Sequence, residues 1–284
     1  MAATFTLQLK RPNHSILLRS KKNFLEFRPN ASLHLGFKLS TNYFYIEYGQ
    51  KLNDTNYGNS QVGNNSYKSY RIGIPIANTY TEVYYQEWIG FSSDENPETG
   101  CDYCLERPNL SSRERSAHFL YATNSNFSMK ALNSNGSEGV TWSTSPLLTF
   151  YLNRLKFRDY GGLLQGSSNN NFSFFANLTS LELRQAGVGI GYGLLAPLGP
   201  FYMGLAGIIG AGYQDNRREN LSGSKVNETG FGSHWSLKTM LATHGPGINL
   251  GLKGFLFSNI YEVGDSNNAA SLNYNIYLYS SYTW

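Results

Sequence analysis

ASLNYNIYLYSSYTW, residues 270–284, is the stretch whose reading decides the fold. Counted from its end, Trp284, Tyr282, Ser280, Leu278, Ile276, Tyr274 and Leu272 occupy one set of alternate positions. Thr283, Ser281, Tyr279, Tyr277, Asn275, Asn273 and Ser271 occupy the other. Side chains two apart on a strand share a face, so the first set makes an apolar face and the second a polar one. The chain stops on an aromatic residue after this strand, and lipid is the cover expected for the apolar face. The pattern predicts the closing strand of an all-β, closed antiparallel transmembrane β-barrel, with apolar residues outward, polar residues inward and aromatic residues at the interfaces.

Composition agrees. Aromatic residues make up 15% of the 284, with 21 Tyr and 17 Phe, while charged residues are only 15%, against about 25% in soluble domains. Tyr favours sites with one wet and one oily end. No run of about 18 apolar residues occurs, which excludes helical membrane spans. A barrel escapes that test, because every second residue faces its lumen. The net charge of +4, from 23 basic and 19 acidic residues, is scattered and carries no nucleic-acid footprint. The densest basic patches are Lys10, Arg11, Arg19, Lys21 and Lys22, then Arg113 and Arg115. They read as solvated loop and interface residues, or alternatively as contacts to anionic lipid head groups. Met1-Ala2-Ala3-Thr4 has neither a basic start nor an apolar h-region. The expectation is a mature form with its signal peptide removed, placed in the outer membrane of a Gram-negative bacterium.

Outward from the last strand, the alternation recurs. Ile248, Leu250, Leu252 and Leu256 alternate with Asn249, Gly251 and Lys253, and Phe231, Trp235, Leu237 and Leu241 with Ser236 and Lys238. Phe201 to Tyr213 and Ala186 to Leu194 continue it, the latter with a glycine at every second place. Hairpins are predicted at Leu33 to Tyr48, at Tyr70 to Phe91 and across Asn124-Ser125, where Ala117, Phe119 and Tyr121 are expected to pair with Phe127, Met129 and Ala131. Polar stretches at 53–65, 92–112, 215–230 and 258–268 read as long loops. Short and long connections alternate along the chain, as periplasmic turns and extracellular loops do. Twelve to fourteen strands fit. Fourteen is favoured, with one strand before Ser32 and another between Leu155 and Gln165. Residues 1–22 are set apart as an N-terminal segment that is first strand, periplasmic hairpin or plug, and 23–284 as the barrel.

Two stretches resemble an uncharacterised family of bacterial outer-membrane barrels, domain of unknown function 4421. Phe27-Arg28-Pro29-Asn30 leading into Leu33-His34-Leu35-Gly36-Phe37 is similar to that family's aromatic-x-Pro-Asn approach to a glycine-containing strand. Glu82-Val83-Tyr84-Tyr85-Gln86 followed by Gly90-Phe91 is similar to its Tyr-Tyr-Gln strand. Its Ser-Ala-Gly-Ser stretch is met here only by Ser143-Thr144-Ser145-Pro146. The resemblance implies an outer-membrane barrel and supplies no activity.

Candidate chemistry is sparse. Cys101 and Cys104, in a polar loop, read as a small structural disulfide, and two local ligands are too few for structural zinc. No cofactor motif is present, and no metal site is expected. His234 and Ser236 share a strand face and look like half of a barrel-wall esterase, but a lipid hydrolase needs them toward lipid and the register turns them to the lumen. Small glycines on the inner face leave room that is filled by large neighbours, by the N-terminal segment or by water. Arg71, Glu82, Tyr84, Gln86, Lys130, Lys238 and Lys253 are the expected lumen-lining groups, and their basic excess points to anions. Tyr282 and Trp284 resemble the aromatic-x-aromatic signal read by the outer-membrane assembly machinery, and are expected to serve insertion and interface anchoring. The first function class is a porin-like passive channel for small polar solutes. The second is a closed barrel with a structural role or a surface partner held by its long loops, and the third is a lipid-modifying enzyme. Outer-membrane lipid is the expected surrounding.

Overall fold

The computed structural model describes residues 3–20, 23–29, 33–52, 66–94, 105–133, 140–164, 172–243, 247–264 and 267–284. Alternating sequences become strands here because each strand finds an antiparallel neighbour on both sides. In chain order they are β1 (Thr4–Ser20), β2 (Asn23–Arg28), β3 (His34–Ser40), β4 (Tyr45–Lys51) and β5 (Ser66–Ile76). Next come β6 (Thr79–Asp94), β7 (Leu105–Ala122), one helical turn α1 (Met129–Asn133), β8 (Ser143–Arg158) and β9 (Leu178–Leu198). The last are β10 (Phe201–Asn220), β11 (Lys225–Thr243), β12 (Gly247–Glu262) and β13 (Asn267–Thr283). All belong to one sheet, and β1 closes it by pairing with β13 from Thr4 opposite Thr283 to Ser20 opposite Asn267.

β2 and β3 are two halves of one stave. Both pair with β1, β2 opposite Ile16 to Ser20 and β3 opposite Thr4 to Lys10. With β2 and β3 sharing one position, the thirteen strands make a ring of twelve at the end where β3 lies. At the other end β4 and β5 have stopped and β2 pairs directly with β6, Arg28 opposite Ser92, which leaves ten. The change of partner occurs at a bulge. β5 ends opposite Ile89, the β6 register shifts between Ile89 and Phe91, and Gly90 between them has a φ of 86° that only glycine adopts without strain.

Burial is inverted relative to a soluble protein. On β13, Asn273 and Ser271 are fully buried, whereas Ile276 is 49% and Leu278 59% exposed. Val188 and Ile190 on β9 and Ile248 and Leu250 on β12 are likewise exposed. An apolar exterior around a polar interior is stable only in lipid, and closure removes every free strand edge from it. The connections after β3, β5, β9 and β11 are short and lie at the end of the ring where Thr4 of β1 meets Thr283 of β13. That end is the periplasmic one.

Three expectations change. Phe127 to Ala131 is no strand: β7 pairs with β8, and the chain between them winds into α1. Leu155 to Arg158 is the end of β8, and the described residues 159–164 form no separate strand. Without these two, fourteen becomes the twelve-stave ring. Finally, the polar stretches 215–230 and 258–268 are mostly strand, since β10, β11, β12 and β13 run on past the apolar band. Polar composition marks solvent there, not the end of the ladder.

Candidate functional site within the barrel

The periplasmic end of the lumen is filled by α1. Asn124 turns the chain after β7, receiving the amide of Asn126 at 3.0 Å and donating to the Thr144 carbonyl at 2.8 Å. Ser128 caps the helical turn by accepting the Ala131 amide at 3.1 Å. At the other end, Lys38 and Lys253 donate to the Asn133 carbonyl at 3.2 and 3.3 Å, and Lys238 to its Oδ1 at 2.9 Å. Cations on the free carbonyls of a helix end are favourable, and here they join α1 to β3, β11 and β12. Phe127, Met129 and Leu132 pack with Tyr80, Leu195, Tyr202 and Met240 in one apolar cluster. The glycine column leaves the room for it. A Cβ on Gly193 would stand 2.5 Å from Phe127 Cζ, and one on Gly204 would stand 3.3 Å from Leu132 Cδ1.

Above the plug lies a charged layer. Glu82 accepts the hydroxyls of Tyr45, at 2.7 Å, and Tyr80, with Arg71 at 3.8 Å. Glu47 is paired with Lys10, which reaches it from β1 across Gly36 of β3. A Cβ on Gly36 would lie 2.9 Å from Lys10 Nζ, so the glycine in the motif is what lets the lysine cross. A cavity of about 40 Å³ between these groups and Leu132 has room for water but not for a solute path.

Higher still, side chains from opposite walls meet. Glu114 of β7 accepts Gln86 Nε2 of β6 at 2.7 Å, Asn273 Nδ2 of β13 at 3.0 Å and Asn259 Nδ2 of β12 at 3.3 Å. His14 of β1 joins Asn273 Oδ1 at 2.6 Å and Ser112 Oγ at 2.7 Å, and Asn259 Oδ1 receives Asn153 at 2.8 Å and faces His234 Nδ1 at 2.7 Å. Direct bonds between β7 and β12 and between β7 and β13 cross the lumen, and each buried amide needs them.

The extracellular end is capped by apolar residues. Leu163, Leu164, Phe172 and Phe175, from the connection between β8 and β9, pack on Trp88, Phe91 and Phe157. Buried Arg107 pins that connection, donating to the Leu163 carbonyl at 2.7 Å, to the Gly162 carbonyl and to Asp159 at 2.6 Å.

Of the residues expected to line the lumen, Arg71, Glu82, Lys238 and Lys253 border the small cavity. Tyr84 sits edge-on to Phe257 at 6.1 Å, and Gln86 is in the cross-lumen network. Lys130 is placed elsewhere, on α1 at the periplasmic rim, donating to Asn42 at 2.8 Å. His234 and Ser236 are buried on the lumenal face. Tyr282 and Trp284 face outward and stack at 6.2 Å. Cys101 and Cys104 lie outside the described residues. Sequence reading missed Lys10, His14, Glu47, Arg107, Glu114, Asn259 and Asn273 as a group. Each stands in the inward phase of its strand, and that phase was the one available signal.

Residues 2–282 match the family described as Domain of unknown function (DUF4421). The chain belongs to that family. No curated protein matches it in sequence. Among solved structures it is similar to the outer-membrane protease OmpT from Escherichia coli, at 7% identity and a TM-score of 0.38 over 100% of this chain and 95% of that one. It is similar to the β domain of the Bordetella autotransporter BrkA, at 12% identity and 0.39 over 98% and 99%. It is similar to the Pseudomonas putida toluene transporter TodX, at 9% and 0.29 over 98% and 89%. Likenesses this loose carry no activity, and the family's barrel stands on its own closed register.

Proposed function

We propose that this outer-membrane barrel is closed, and that it works through its outer face and extracellular end as a structural or surface-interaction protein. The observation that carries this reading is Glu114, bonded at once to β6, β12 and β13 across the middle of the lumen. A passive porter needs a continuous wet path, and here a path would have to break the α1 plug, the cross-lumen network and the apolar cap in turn. Opening the cross-lumen layer costs the hydrogen bonds of Glu114, Asn259 and Asn273, with no replacement except water. The test is conductance. Purified protein in a planar bilayer is expected to hold the membrane resistance unchanged over a voltage range that opens porins. Steady ohmic steps from the wild-type protein overturn the closed reading and restore the channel.

A further inference from the structure

On the outer wall, three arginines stand directly opposite one another on adjacent strands. Arg115 of β7 faces Arg154 of β8, and Arg154 faces Arg184 of β9. Tyr85 of β6 extends the row on one side and Asp215 of β10 on the other. The next row outward reads Glu87, Arg113, Lys156, Glu182 and Arg217. The two rows hold six cations, three of them in each row, against three carboxylates. Like charges directly across a strand pair destabilise a sheet unless something neutralises them. The chain does so only in part. Glu182 pairs with Arg154 at 2.9 Å and Arg184 at 2.5 Å, Asp215 with Arg217 at 3.3 Å and Arg184 at 3.7 Å, and Glu87 with Arg113 at 2.5 Å. Arg115 and Lys156 have no ion pair among the described residues; Arg115 lies only near the Tyr85 ring, at 5.8 Å.

The row on the periplasmic side of the arginines is apolar and uneven. Val83, Ala117, Leu152, Ala186 and Tyr213 stand opposite one another across the same five strands. The two alanines between larger neighbours leave an open groove of about 690 Å³, bordered above by Arg115, Arg154 and Arg184. Beyond it toward the periplasm, Phe119, Phe150 and Val188 are exposed to the membrane.

We infer that this groove binds a phosphorylated glycolipid of the outer leaflet, an acyl chain in the trough and a phosphate on the arginine row. Guanidinium groups match phosphate oxygens in pairs, and an anion among three of them removes the repulsion that the chain leaves uncompensated. The rows sit toward the strand ends away from the short turns, which is the side of the outer leaflet. A free phosphate has no use for the apolar trough, and the groove opens sideways to lipid. The inference rests on the reading of an outer-membrane barrel but not on the lumen being closed.

The experiment uses full-length barrel folded in a non-ionic detergent, with lipid A as the probe and native mass spectrometry as the readout. Folding of each variant is checked first by its gel shift on boiling. Wild type is expected to retain lipid A, and the triple variant Arg115→Ala/Arg154→Ala/Arg184→Ala to bind it about a hundredfold more weakly. Lys225→Ala, on a distant hairpin tip, is expected to match wild type. Dephosphorylated lipid A is expected to bind as weakly to wild type as lipid A does to the triple variant. Ala186→Phe fills the trough without touching a charge and is expected to weaken lipid A as well, which keeps the question open to test if the triple variant does not fold. Full retention by the triple variant or by Ala186→Phe overturns the site. So does equal binding of the dephosphorylated lipid, and displacement of lipid A by millimolar inorganic phosphate reassigns the row to a free anion. Conductance of the wild type is read separately, so a conducting barrel that still holds lipid A sinks the closed-lumen reading alone.

Discussion

At the scale of single residues, the interior is organised by groups that serve more than one strand. Glu114 is the clearest, because its two oxygens are shared by Gln86, Asn259 and Asn273. Glu114→Ala leaves three amide donors in a space that water does not easily reach, and the expected loss is about 3 kcal/mol of unfolding free energy, with Glu114→Gln losing less because one acceptor survives. Denaturant unfolding in detergent micelles, followed by tryptophan fluorescence, reads both. An alanine variant as stable as wild type removes the cross-lumen network as a support. Ala77 offers the opposite sign. It holds a φ of 49° in the two-residue turn between β5 and β6, a conformation costing a residue with a Cβ roughly 1 kcal/mol, so Ala77→Gly is expected to gain up to about 0.5 kcal/mol after the entropy of glycine is subtracted. The same titration measures it.

At the scale of elements, the seam between β2 and β6 is the thinnest part of the wall. It is three residue pairs long, Glu26 to Arg28 against Ser92 to Asp94. It begins just past Gly90, where the β6–β7 register shifts and pairing with β5 has ended at Ile89. Gly90→Val forces a β-branched residue to a φ of 86°, at a cost of about 2 kcal/mol or more. The expected outcome is faster hydrogen exchange across β2 and the end of β6, with β9 to β11 unchanged. Uniform protection in the variant would falsify the bulge as the switch of partners. α1 is the other element whose role is local. Its five residues form a stable turn only because Ser128 caps one end and Lys38, Lys238 and Lys253 hold the other.

At the scale of the whole molecule, the ring is held together by thirteen strands closed through β1 and β13, and by an inside that is bonded from wall to wall. Such a barrel keeps its shape in detergent at room temperature. Unboiled protein is therefore expected to run faster on a detergent gel than boiled protein, and the shift should require heating well beyond ordinary domain melting temperatures. Identical mobility before and after boiling contradicts a closed barrel. The filled interior also separates roles by location. On the proposed closed reading, a partner meets the outer wall or the extracellular end, and the cavity beside Leu132 holds only about 40 Å³.

The strand period was legible throughout, because facing is fixed by backbone geometry alone: the residues at alternate positions of 270–284 point inward and outward as their order requires. Lipid as the expected surrounding followed from the same order, whereas the family came from the resemblance of the short motifs around Gly36 and Gly90. Strand number was legible only as the range from twelve to fourteen, and the favoured fourteen was too many. Phe127, Met129 and Ala131 alternate as a strand would, yet the space left by Gly193 and Gly204 on distant strands draws them inside as a helical turn. Leu155 to Arg158 continue a strand because β7 and β9 are long enough to pair with them. The site was half legible for the same reason. Phase along a strand marks Glu82, Gln86 and Asn273 as inward, whereas only closure of the ring decides that Glu114 meets Asn259 and Asn273 from the far wall, or that Arg115, Arg154 and Arg184 form one row. Sequence determined which face each residue takes; the tertiary structure decided which faces meet, because the walls face one another only once β1 and β13, whose paired Thr4 and Thr283 are 279 residues apart, close the ring.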